Sequence, residues 1–297
     1  MATSHLITGA ADGPAQPIVR VIAPADLWDA LARGWDDFAA MPSHAVFLCV
    51  IYPVVGLVLG RLAFGYDVLP LLFPLIAGFA LIGPFAALGL YELSRRREQG
   101  LDVSWRRALE VYRSPSFGAI MALGVLLMAI FLVWLAVAQS VYVTNFGYAP
   151  AASMPDFVRQ VFTTPAGWAL IIVGNGLGFL FAVLVLAISV VSFPLLLDRD
   201  VGVAVAILTS IRVVQKNPAT MALWGLIVAV LLVIGSLPFF FGLTVVVPVL
   251  GHATWHLYRK VVEPDAAARA EPRPRSESRR SAADFPAALF PWVRGDR

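Results

Sequence analysis

The chain has 297 residues, of which 59% are hydrophobic and only 14% are charged, with one cysteine and a formal net charge of +3. A soluble domain usually carries about 25% charged residues, and a soluble globule of this size cannot hide so large an apolar fraction. The composition excludes a disordered chain, a secreted disulfide scaffold and an ordinary soluble enzyme, and it predicts a polytopic membrane protein.

Long apolar runs follow one another from residue 44 onward. A helix that crosses a bilayer needs about 20 apolar residues, and a helix satisfies its own backbone hydrogen bonds in lipid. We therefore predict an all-α membrane bundle of six transmembrane helices. The predicted spans cover about residues 44–64, 68–92, 117–142, 166–194, 218–236 and 239–258.

Two polar tails flank the predicted membrane domain, which covers residues 25–263. Residues 1–24 are rich in Gly, Pro and Ala, and residues 264–297 are rich in Pro, Arg, Ser and Ala. Such segments bury too little apolar surface to fold alone. We predict that both tails are disordered.

The basic residues fall almost entirely on one side of the predicted bundle. Twenty of the 22 lysines and arginines lie there, and only Arg61 and Arg159 lie on the other side. The positive-inside rule then places both termini on the cytoplasmic side of the membrane. The same charges face anionic lipid head groups. The expected partners are membrane lipids and other membrane proteins, with no nucleic acid.

A short amphipathic stretch and a proline precede each odd-numbered span, the prolines being Pro42, Pro115 and Pro218. Side chains four, seven and eleven residues before these prolines share one helical face. We predict three repeats, each an interfacial helix followed by a transmembrane hairpin. Chance similarity among short amphipathic loops is the alternative. The predicted interfacial faces consist of Leu31, Trp35, Phe38, Ala108, Val111, Ile207, Ile211 and Val214.

Three stretches of the sequence carry a family resemblance: FALIGPFAALGLYELSRRREQG (79–100), SVVSFPLLLDRDV (189–201) and VVVPVLGHATWHLYRK (245–260). They resemble the DUF2189 family of predicted bacterial integral membrane proteins. The resemblance extends over about residues 18–263 and implies an integral membrane fold. It implies no established activity, although some members carry the label of a cytochrome c oxidase subunit.

Three histidines are the candidate cofactor ligands. His252 and His256 are four residues apart in the sixth predicted span and share a face, and His44 begins the first span. Imidazole nitrogens bind metals and haem iron, so a haem- or metal-binding redox protein is one hypothesis. Anchoring at the membrane surface, as for neighbouring aromatic residues, is the other. An oxidase catalytic subunit needs more histidines on several helices, so we expect no cofactor, with haem as the alternative.

No acidic or basic residue lies near the centre of a predicted span, unlike the pattern typical of ion-coupled transporters. Asn175, within GNGLG (174–178), is either a substrate contact or a helix-packing residue. A charged layer is expected at the cytoplasmic ends of the second and fourth spans. It consists of Glu92, Arg95, Arg96, Arg97, Asp198, Arg199 and Asp200.

The sequence contains no nucleotide-binding loop, nucleophile elbow or zinc-protease motif. We therefore expect no catalysis. The leading hypothesis is a non-enzymatic polytopic protein of the bacterial inner membrane that serves as a scaffold, assembly factor or membrane-homeostasis component. The alternative is a carrier or channel for a neutral or lipid-like solute.

Overall fold

The computed structural model describes residues 16–41, 83, 87–104, 110–148, 154–237 and 240–264. This part of the chain is helical, and its one isolated antiparallel bridge joins Val19 to Val262. The helices are α1 (Pro24–Ala40), α2 (Leu88–Glu98), α3 (Phe117–Phe146), α4 (Met154–Thr163), α5 (Pro165–Ser189), α6 (Ser192–Asp198), α7 (Val203–Lys216), α8 (Pro218–Ser236) and α9 (Leu243–Val261). A 3₁₀ turn covers Glu110–Arg113. The all-helical class is therefore confirmed for the described residues.

Three segments of the described chain are long and apolar enough to cross a membrane: α3, the segment Pro165–Asp198 that contains α5 and α6, and α8. They coincide with the third, fourth and fifth predicted spans. The first predicted span lies outside the described residues. Of the second predicted span, only residues 83 and 87 are described before the start of α2.

The sixth predicted span forms α9, but α9 is not among the described helices that meet the length and hydropathy requirements for crossing. Its second half carries His252, His256, Arg259 and Lys260. These polar residues lower its hydropathy.

Prolines open three of the helices. Pro24, Pro165 and Pro218 occupy the first turn of α1, α5 and α8, where a missing N–H does no harm because no intrahelical acceptor faces it. Pro218 starts α8, and Asn217 alone separates it from the end of α7 at Lys216.

Helix α1 runs antiparallel to α9. Lys260, near the end of α9, lies 2.9 Å from Asp26 near the start of α1. Gly34, farther along α1, packs against Val249 and Ala253, and a Cβ atom at Gly34 would lie 2.7 Å from the Ala253 Cβ. Only glycine permits this approach of the two helices.

The buried face of α1 differs from the predicted interfacial face. It consists of Leu27, Ala30, Gly34 and Asp37. Small residues dominate it because the two helices lie so close together, whereas the amphipathic pattern favours the large apolar side chains.

The predicted face of α1, which consists of Leu31, Trp35 and Phe38, lies beside the buried one. Together with Trp28 it forms a surface that we call the aromatic stripe. Trp28 and Trp35 are 59% and 54% exposed, while Leu31 and Phe38 are partly buried against the core. The stripe therefore offers an apolar surface on the outside of the α1–α9 pair.

Of the predicted faces in the second and third repeats, the structure describes all residues except Ala108. Ile207, Ile211 and Val214 of α7 are partly buried against the core, as is Val111 in the 3₁₀ turn. Ala108 lies outside the described residues.

The folded part begins earlier than the predicted end of the amino-terminal tail at residue 24. The backbone N–H of Arg20 donates to the Val261 carbonyl over 2.8 Å. The Asn217 side chain accepts from the backbone N–H of Ile22, also over 2.8 Å. These bonds satisfy the backbone of an extended segment whose composition gives no sign of order.

Candidate functional site: a buried polar cluster

Three helices bring five polar side chains together between them. We call this set, Asp37 from α1, Ser94 and Arg97 from α2, and His252 and His256 from α9, the polar cluster. Within α2 and within α9 the members are three and four residues apart, which puts each pair on one face. Ser94 and His252 are fully buried.

The close packing of α2 on α9 positions these groups. A Cβ atom at Gly251 would lie 2.5 Å from Cδ1 of Leu90, so glycine again permits the contact. One turn farther along α2, Ser94 reaches His252, and one turn beyond that, Glu98 accepts from the Trp255 indole over 3.0 Å. The two helices therefore run parallel.

Asp37 is the centre of the cluster, with only 3% of its surface exposed. Its Oδ2 accepts hydrogen bonds from Ser94 Oγ over 2.5 Å and from His256 Nε2 over 2.9 Å, and its Oδ1 accepts from Arg97. Burial alone would raise the pKa of Asp37, but hydrogen bonds from His256, Ser94 and Arg97 outweigh burial and lower this pKa from 3.8 to about 2. Asp37 is therefore a carboxylate at neutral pH.

The ionisation of Asp37 fixes the tautomer of His252. A carboxylate only accepts hydrogen bonds, so the single proton of the Ser94 hydroxyl points to Asp37. The Nδ1 atom of His252 lies 2.7 Å from Ser94 Oγ and must therefore donate its own proton to that oxygen. Neutral His252 then carries a lone pair on Nε2, which is buried and has no hydrogen-bond partner among the described residues.

The cluster contains serine, histidine and aspartate but is not a catalytic triad. In a triad the histidine lies between the other two groups and takes the proton of the serine. Here Ser94 lies between Asp37 and His252, gives its proton to the carboxylate, and is closed to solvent. The arrangement holds helices together and does not activate a nucleophile.

Several residues of the predicted charged layer form ion pairs of low exposure. Glu92 pairs with Arg95 over 2.8 Å and with Arg96 over 3.4 Å, all within α2. Asp198 accepts from the Tyr258 hydroxyl over 2.6 Å. Of the remaining members, Arg97 joins the polar cluster, Arg199 bonds to the Glu263 carbonyl, and Asp200 lies 3.5 Å from Ser116.

A second link between α1 and α9 lies two turns from the cluster. Lys260 Nζ is 2.9 Å from both Asp26 and Asp29. Its hydrogen bonds lower the pKa of each carboxyl group. Burial lowers the pKa of Lys260, but the two carboxylates outweigh burial and raise it.

Two of the three candidate cofactor ligands belong to the polar cluster. Both His252 and His256 turn toward the Asp37–Ser94 pair, and His44 lies outside the described residues. Within the described part of the chain, no group of three or more His, Cys, Asp or Glu side chains is arranged to hold a metal ion.

Asn175 is exposed on α5 and donates to the Ile171 carbonyl of its own helix over 2.7 Å. It does not line the groove of about 630 Å³ that lies between α3 and α5. The lining residues are Val133, Ala136, Val137, Ser140, Val141, Thr144, Asn145, Ala169 and Val173. The hydroxyl and amide groups of Ser140, Thr144 and Asn145 donate to carbonyls of α3 itself, so the groove presents mainly apolar surface.

The sequence analysis missed Asp37 and Ser94 as site residues. A signal for Asp37 existed, since it lies three, seven and ten residues after Gly34, Ala30 and Leu27 and so shares their face. Ser94 gives no comparable signal, because its role depends on two helices that are distant in the sequence.

A comparison with protein families gives a match over residues 72–198, a stretch that includes α2 to α6. These residues match the DUF2189 family, described as a predicted integral membrane protein. The match confirms the resemblance over a shorter stretch than expected: Ser94 and Arg97 lie inside the DUF2189 region, and Asp37 and His252 lie outside it. The chain is an integral membrane protein with helices that can span a bilayer. No curated protein and no solved structure matches the chain.

Proposed function

We propose that this chain is a non-enzymatic component of the bacterial inner membrane that acts as a scaffold, an assembly factor or a membrane-homeostasis component. The observation that carries the proposal is the polar cluster. Its charged and hydroxyl groups bind one another across α1, α2 and α9. These groups stabilise the packing of the helices against one another, as expected for a protein with a structural role.

The finer topology is part of the same proposal: six spans, arranged as three repeats of an interfacial helix and a hairpin, with both termini in the cytoplasm. Three features support it. Helices α3, α5 and α8 contain no charged residue. Helix α7 ends at Lys216, and α8 begins two positions later at Pro218. Helix α1 carries the aromatic stripe. Tryptophan is enriched where lipid meets water.

A second candidate is a carrier for a neutral or lipid-like solute, and the groove between α3 and α5 favours it. Its volume of about 630 Å³ falls within the range of roughly 300–1,000 Å³ that small-molecule sites occupy. Its apolar lining fits an acyl chain better than a polar solute.

A groove-filling variant separates the two candidates. Native-gel profiles of membrane complexes would be compared in a strain that lacks the gene and in strains complemented with wild type, Ala169→Phe or Val230→Phe. Ala169 lines the groove. Val230→Phe is the control, because it adds the same side chain at an exposed position of α8. A scaffold predicts that one or more complexes are lost in the deletion strain and restored by all three proteins. Restoration by wild type and Val230→Phe but not by an equally abundant Ala169→Phe would favour the carrier.

We also propose that the protein holds no haem. The visible spectrum of detergent-purified protein, oxidised and reduced, is then expected to lack a Soret band, with no stoichiometric metal in the same sample. A Soret band that disappears in His252→Ala would instead make this histidine a ligand.

A further inference from the structure

The Nε2 atom of His252 is the polar atom of the cluster that has no partner among the described residues. The bonds of Ser94 and Asp37 hold the other ring nitrogen, Nδ1, as a donor. The ring is therefore fixed with its basic nitrogen facing a buried environment. A buried lone pair of this kind is where an added proton would bind.

The charged side chains around His252 already form hydrogen bonds or ion pairs with other residues. From α1, Asp37 lies 4.0 Å from Nδ1, and its two oxygens are occupied by Ser94, Arg97 and His256. Helix α8, which also packs on α9, has no charged residue, and Asp198 of α6 bonds to later residues of α9. None of these groups offers Nε2 an acceptor.

We propose that His252 is a proton-binding site whose occupation releases α1 and α2 from α9. A proton on Nε2 adds an N–H donor and a positive charge in a fully buried position. Asp37 and the backbone carbonyl of Leu90 favour that charge, but the loss of solvation on burial outweighs both. Burying such a group is costly, and opening the contact lets water solvate it. Asp37 keeps its charge in this range, and matched variants of His252 and His256 separate the contributions of the two histidines.

The release would uncover the small-residue face of α1, with Leu27, Ala30 and Gly34, and the matching surface of α9. Mild acid would therefore loosen the contact of α1 with α2 and α9. We call the contact of His252 with Ser94 and Asp37, which joins α9 to α2 and α1, the acid-sensitive latch.

Two amide variants test this latch in the full-length protein in detergent. An asparagine amide can replace the Nδ1–H donor, so His252→Asn keeps the bond to Ser94 and removes the basic nitrogen. A glutamine amide can replace the Nε2–H donor, so His256→Gln is the matched control that keeps the bond to Asp37. The unfolding temperature would be measured at about pH 7.5 and about pH 5.5, a range in which histidine titrates.

The latch predicts that wild type and His256→Gln lose several degrees of unfolding temperature on acidification, while His252→Asn loses much less. An equal loss in His252→Asn, or no loss in wild type, overturns the proposal. If His252→Asn does not accumulate, ¹⁵N-histidine NMR of the wild type decides. A neutral Nδ1–H ring at the higher pH supports the latch, and an Nε2–H ring overturns it.

Discussion

The hydroxyl of Ser94 donates to Asp37 over 2.5 Å, across 57 positions of the sequence. The same oxygen accepts from His252 over 2.7 Å. One side-chain oxygen therefore connects α1, α2 and α9, three helices that are far apart along the chain. The geometry makes Ser94 the most informative position at which to test the polar cluster.

Replacing Ser94 by alanine is expected to lower the free energy of unfolding by about 1–3 kcal/mol, because the His252 N–H loses its acceptor and a buried carboxylate loses a donor. Denaturant unfolding in detergent measures this difference. Ser140→Ala is the control, since Ser140 is exposed and bonds only within α3. Its expected effect is within about 0.5 kcal/mol, and equal effects of the two variants would contradict the role of Ser94.

Gly34→Ala tests the contact between α1 and α9. The new methyl group would meet the Val249 carbonyl and the Ala253 backbone at 2.7 Å, and backbone atoms cannot move aside. We expect a loss of about 1–3 kcal/mol, as in other overpacked cores. At Gly176 an added Cβ meets nothing within 4 Å, so Gly176→Ala should be neutral or slightly stabilising. A Gly34→Ala protein as stable as the wild type would show that the helices are farther apart.

The lowered pKa of Asp37 predicts a second, more acidic loss of stability. A carboxyl group whose pKa falls from 3.8 to about 2 on folding contributes stability above its ordinary pKa and loses it as pH falls toward 2. Asp37→Asn should be less stable at neutral pH and should lack this part of the acid profile. The exposed neighbour Asp36 supplies the control, because Asp36→Asn should keep the wild-type profile. The measurement is unfolding temperature against pH, and an unchanged profile in Asp37→Asn would contradict the ion pair.

The aromatic stripe predicts that Trp35→Asp combined with Phe38→Asp destabilises the protein or its seating in the membrane, because charge is costly where apolar side chains meet lipid. Membrane-integrated yield and unfolding temperature are the readouts. Tyr148→Asp, at a residue that is 89% exposed, controls for the addition of a charge. If the double variant accumulates and melts like the wild type, the interfacial role of α1 is wrong.

The sequence allowed the apolar helices to be predicted but not the contacts between them. Helices α3, α5 and α8 follow from runs that are apolar on every side, a signal that needs no partner. The orientation of α1 does not follow in this way. The amphipathic pattern predicts that Trp35 and Phe38 are buried. In the structure the close contact with α9 instead buries the small residues Ala30 and Gly34.

The candidate site was predicted in part. His252 and His256 stand out as polar residues in an apolar run, and both belong to the polar cluster. Their partners Asp37 and Ser94 lie on helices whose approach depends on glycine contacts at Gly34 and Gly251. Such contacts are properties of the folded chain, and no local pattern encodes them.

The most direct test of the account is the side of the membrane on which each connection lies. In a Cys49→Ser background, Tyr148→Cys marks the connection after α3, and Gln215→Cys marks the exposed end of α7. A membrane-impermeant thiol reagent applied to intact bacteria lacking an outer membrane barrier should label position 148 at once and position 215 only after lysis. Labelling of position 215 in intact cells, or protection of position 148, would contradict a multi-pass protein that has α7 and both termini on the cytoplasmic side.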